Sequence, residues 1–146
     1  METKFKKVHT AKDLVISSIV FIAGTGLFFV NKGLGILIAV CGLGMFFLCK
    51  GGYRKDGQGI VLKKVSKDLC KGCRQSVLDY LSGKDVTPEI KEGNDGGSIR
   101  LDVFFNKAEG VAFAQVFNFN NYAYEPATEV IELHSPKADK LISQLC

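Results

Sequence analysis

The chain has 146 residues, five cysteines and a formal net charge of +4, which allows one small domain beside an apolar segment. The charge is unevenly distributed. Residues 1–49 carry five basic and two acidic side chains, whereas residues 50–146 carry 14 basic and 13 acidic ones, so the second part gives no electrostatic reason to expect a nucleic-acid partner. An odd number of cysteines, two of them (Cys41 and Cys49) in apolar surroundings, excludes a secreted disulfide framework and fits free thiols in a reducing compartment.

Residues 1–13 form a basic arm containing His9, which reads as solvated. Two uncharged runs follow, Leu14–Val30 and Leu34–Cys49, of 17 and 16 residues. At about 1.5 Å per residue each reaches roughly 24–26 Å, the short end for a transmembrane helix. Three residues, Asn31-Lys32-Gly33, join them and demand an antiparallel hairpin over 14–50. Gly24, Gly26, Gly35 and Ala39 are small enough to let the two backbones approach, within one hairpin or between copies. Lysines before the first run and Lys50, Arg54 and Lys55 after the second predict a two-pass protein of the plasma (inner) membrane with both termini cytoplasmic. The absence of Asp, Glu, His, Lys and Arg inside either run argues against a transporter site.

Residues 51–59 read as a glycine-rich linker, and 60–146 as an α+β domain of order β-α-β-β-β-α, an antiparallel sheet with helices on one face. Ile60–Val65 is the first strand. Ser66 then caps a helix over Lys67–Leu81, whose apolar stripe is Leu69, Cys73, Val77 and Leu81. Gly93–Ser98 (GNDGGS) is a flexible loop without the lysine of a phosphate cradle. Ile99–Asn106 alternates apolar and polar residues and pairs with Val111–Phe119 as a hairpin. Asn120-Asn121 suits a tight turn, Thr128–His134 is a third sheet strand, and Ser135-Pro136 opens a last helix bearing Ala138, Leu141, Ile142 and Leu145.

Cys70-Lys71-Gly72-Cys73 is the one motif with chemical specificity. Two thiols at this spacing can form a redox pair, although this register sets them one turn inside the helix and makes Cys73 a core thiol. Zinc needs four ligands, and only His134 and Cys146 are left to join the pair. No metal, cofactor or small-molecule ligand is therefore expected, and two histidines without a nucleophile elbow give no catalytic triad. The order α-β-β-β-α over 67–146 is similar to that of double-stranded-RNA-binding domains, but Glu125, Glu129 and Glu132 flank the helix where a basic face is needed. The Phe and Tyr residues read as core and sheet-face packing. The leading functional expectation is a non-enzymatic interaction domain held at the membrane, with the lipid bilayer and a protein or second copy as partners. The alternatives are a membrane-anchored thiol redox protein using Cys70 and Cys73, and a small oligomeric membrane structure.

Overall fold

The computed structural model describes residues 5–93 and 99–146 and is an α+β structure of four α-helices and two sheets. Residues 94–98 of the glycine-rich loop and the first four of the basic arm lie outside the described residues. The chain divides into two compact units, Phe5–Val61 and, among the described residues, Leu62–Cys146.

In the first unit α1 (Ala11–Leu27) and α2 (Lys32–Leu48) form the antiparallel hairpin. Thr10 caps α1 through a capping box: its hydroxyl accepts the Asp13 N–H at 3.2 Å, and the Asp13 carboxylate accepts the Thr10 N–H at 2.9 Å. The Thr10 and Gly51 N–H groups hold the Asp13 carboxyl below its ordinary range. Asn31 caps α2 by accepting the Leu34 N–H.

Each helix is 17 residues, about 26 Å long against a hydrocarbon core of roughly 30 Å. Capping at Thr10 brings Lys12 and Asp13 inside α1, and Phe28–Val30 leave the helix for the turn. No helix among the described residues is long and apolar enough to cross a membrane. This overturns the two-pass hairpin, the membrane-tethered function, and the plasma-membrane location with its cytoplasmic termini, since orientation by flanking lysines presupposes a crossing.

The helices meet at glycines. A Cβ on Gly24 would lie 2.7 Å from the Ala39 Cα, one on Gly42 would lie 2.8 Å from the Phe21 Cα, and one on Gly35 would strike the Phe28 backbone nitrogen. Nothing would meet a Cβ on Gly26 or Gly44. The hairpin's ends are tied by two short strands, β1 (Phe5–Val8) and β2 (Gly52–Lys55), antiparallel from Phe5↔Lys55 to Val8↔Gly52. Part of the basic arm is thus a strand, as is part of the glycine-rich linker. His9 is not simply solvated: its Nδ1 lies 2.9 Å from the Cys49 carbonyl and its ring stacks on Phe46.

The second unit is a five-stranded antiparallel sheet with α3 (Arg74–Leu81) and α4 (Lys137–Leu145) on one face. Its strands are β3 (Lys63–Leu69), β4 (Ile99–Asn106), β5 (Val111–Asn120), β6 (Ala123–Pro126) and β7 (Ile131–His134). They run in the order β3-β4-β5-β6, and β7 pairs with the first half of β5 while β6 pairs with the second. The third strand expected over Thr128–His134 is shortened to β7, and β6 before it is a strand the sequence did not announce; between the two, the N–H groups of Ala127 and Thr128 both turn to the Val116 carbonyl. Asn121 and Tyr122 take positive φ (47° and 63°), the mirror-image turn that matches strand twist, one residue beyond the expected Asn120-Asn121.

Period-2 alternation puts Ile99, Leu101, Val103 and Phe105 of β4 beside Ala112, Ala114 and Val116 of β5. Val77, Tyr80 and Leu81 of α3 and Ala138, Leu141, Ile142 and Leu145 of α4 close over them. Each Leu, Ile or Val buried this way contributes about 1.5–3 kcal/mol. The Tyr80 hydroxyl donates to the Lys137 carbonyl at 2.6 Å and the Lys137 ammonium donates to the Gly83 carbonyl at 2.8 Å, which ties α3 to α4. On the opposite face Asp102, buried, is held by Lys64 at 2.6 Å and Arg100 at 2.9 Å.

Candidate functional site

The strand-to-helix boundary differs most from expectation, and it carries the cysteines. Ser66 does not cap a helix. It pairs with Asp102, and β3 continues through Leu69, opposite Ile99. Cross-strand pairing of seven residues outweighs the local helix signal of one serine. Cys70 is consequently extended (φ −62°, ψ 151°) at the very start of the turn, a 3₁₀ turn occupies Lys71–Cys73, and α3 begins only at Arg74. The pair sits between the end of a strand and the first turn of a helix.

The two sulfurs lie 2.8 Å apart. Their surroundings are unequal: Cys73 is 1 % exposed within the core cluster, while Cys70 is half-buried at its margin. The Lys91 carbonyl accepts the Cys70 N–H at 3.0 Å and lies 3.9 Å from the Cys73 sulfur. Gly93 packs on Cys70 so closely that a Cβ there would be 2.8 Å from the Cys70 Cβ. The Cys73 carbonyl accepts the Ser76 hydroxyl at 2.9 Å, and Ser76 Oγ in turn accepts the Glu89 N–H at 3.2 Å. Strand end, turn and the 89–93 segment thus fix both thiols, and Lys91 and Gly93 had no signature in the sequence.

Burial pushes the Cys73 thiol above its ordinary value of 9.0, and the neighbouring Cys70 adds to the shift. A folded-state value raised in this way stabilises the fold below pH 9 and the contribution is lost as pH rises through it. The reduced chain should therefore lose thermal stability more steeply above pH 9 than Cys73→Ala does, in paired melts from pH 7 to 10.5. Equal slopes would show that Cys73 ionises as freely folded as unfolded.

The remaining histidine and cysteines of the sequence stand as follows. His134 is exposed and 3.5 Å from Glu132, Cys146 is exposed at the end of α4, and Cys41 and Cys49 are exposed in the first unit. Among the described residues, no group of three or more His, Cys, Asp or Glu side chains is placed to hold a metal ion. Gly24, Gly35 and Ala39 lie at the helix–helix contact and Gly26 faces open space. No family model matches the chain, and neither the curated proteins nor the solved structures offer a match.

Proposed function

We propose that the second unit is a thiol–disulfide redox module in which Cys70 attacks and Cys73 resolves. The observation that carries this reading is the 2.8 Å approach of two sulfurs of unequal exposure. In this reading Cys70, the half-buried residue of the pair, is the one that meets a substrate disulfide. It forms a Cys70–substrate S–S bond as the substrate's own S–S bond breaks, and the Cys70 proton goes to the departing sulfur. Cys73 then attacks the Cys70 sulfur, the Cys70–Cys73 bond forms, and the second substrate thiol leaves with the Cys73 proton. The substrate disulfide gains two electrons and the pair loses two. The burial of Cys73 suits this order, because an enclosed second thiol does not meet the substrate itself.

The test uses the full chain with Cys41→Ser, Cys49→Ser and Cys146→Ser, all at exposed positions. Reduced protein mixed with oxidised glutathione should form an intramolecular Cys70–Cys73 disulfide, seen by peptide mapping, and dithiothreitol should restore both thiols. Thiols that stay alkylatable throughout would overturn the reading.

A further inference from the structure

We propose that the first unit joins two copies of this chain, the grooved side of one helical hairpin packing antiparallel on the same side of another. The proposal is independent of the thiol pair. On one side of the hairpin the seam between α1 and α2 opens into a groove of about 320 Å³, with Ser17 and Gly42 buried at its floor. The Ser17 hydroxyl donates to the Leu14 carbonyl at 3.1 Å, so it asks for no polar partner. Ile22 and Leu43 stand exposed at the rim beside Phe21 and Phe46. Helical periodicity carries the same side to Ile36, two turns before Leu43, and to Phe47, one turn after it, and both are exposed.

At their exposures these six apolar side chains present roughly 600 Å², the upper end of what a monomer leaves open. Two such faces in contact bury about 1,200 Å², the size at which specific, stable interfaces begin. A second copy is the occupant this side fits. It carries both a groove and the ridges that would fill one, so a twofold axis makes it self-complementary. The runs Leu14–Val30 and Leu34–Cys49 hold no charged residue to repel a copy or to select a partner of opposite sign. Charge sets the direction instead. Lys6, Lys7, Lys12, Lys50, Arg54 and Lys55 lie at the end where β1 and β2 close the hairpin, offset only by Asp13 and Asp56, whereas the turn end carries Lys32. Parallel packing would set the basic ends together; antiparallel packing separates them by about a helix length, roughly 26 Å, beyond the screening length of about 10 Å. Ile22, near the middle of α1, then meets its own counterpart, and Leu14, at one end, does not.

Sedimentation velocity of the full chain under reducing conditions should show a dimer at tens of micromolar. Ile22→Glu and Leu43→Glu set a charge against an apolar face and should weaken it at least a hundredfold, with helix content by circular dichroism unchanged. Leu37→Glu, exposed on the back of α2, should leave it intact. With Cys41, Cys49 and Cys146 replaced by serine, Ile22→Cys should form an interchain disulfide on mild oxidation and Leu14→Cys should not. A disulfide at Leu14→Cys instead would overturn the antiparallel direction. A monomer at these concentrations, or a dimer indifferent to both glutamates, would overturn the proposal. So would a monomer that floats with phosphatidylcholine–phosphatidylserine vesicles until Ile22→Glu is introduced, which would give this side to a lipid surface.

Discussion

In the chain with Cys41, Cys49 and Cys146 replaced by serine, Cys73→Ser should accumulate a mixed disulfide on Cys70 that the intact Cys70–Cys73 pair releases too quickly to isolate. Resolution by Cys73 is intramolecular from 2.8 Å, so its loss should prolong the adduct by about two orders of magnitude or more. Intact-mass spectrometry after mixing with oxidised glutathione reads the adduct directly. Cys70→Ser should give no adduct in the native state, since Cys73 alone is buried in the core. The serine in place of Cys73 buries a hydroxyl and should also lower stability by about 1–3 kcal/mol, so both variants are compared below their melting transitions. An adduct equally short-lived in Cys73→Ser would remove Cys73 from the resolving role.

Substitutions at the hairpin glycines should separate into two opposite groups. Gly35→Ala and Gly24→Ala place a methyl group against the partner helix's backbone, which cannot swing aside as a side chain can. Each should destabilise the hairpin by about 1–3 kcal/mol, as overpacking does elsewhere. Gly26→Ala and Gly44→Ala meet nothing and should stabilise it by about 1 kcal/mol through helix propensity. Thermal melts of the four full-length variants, followed by circular dichroism, check the sign. A destabilising Gly26→Ala or a neutral Gly35→Ala would show that the helices do not meet along this line.

Sequence patterns of different kinds proved unequally legible. The β4–β5 hairpin was readable because Ile99, Leu101, Val103 and Phe105 alternate without interruption, and the apolar side of the last helix was readable from Ala138, Leu141, Ile142 and Leu145. The first helix of the second unit was misjudged because Leu69 and Cys73 extend its i+4 stripe backwards into what is a strand. The same stripe hides the position of the cysteines, since the pairing that holds β3 straight lies 30 or more residues away on β4. The membrane reading failed for a related reason. The apolar run extends through Val30, whereas the helix is bounded by Thr10 and Phe28, and Phe28–Val30 add hydrophobicity but no helical length. β1 and β2 are four residues each and rich in lysine and glycine, so neither carries a strand pattern by itself. Gly93 against Cys70 depends on a tertiary approach that no local signal encodes.

The pairing of Phe5 with Lys55 means that the helical hairpin leaves the chain and returns to it at neighbouring points. A segment with adjoining ends is transplantable: it could be excised and replaced by a short turn, or inserted at a surface loop of an unrelated host, without stretching either recipient backbone. The antiparallel strand pair would serve as a ready-made joint in such a graft.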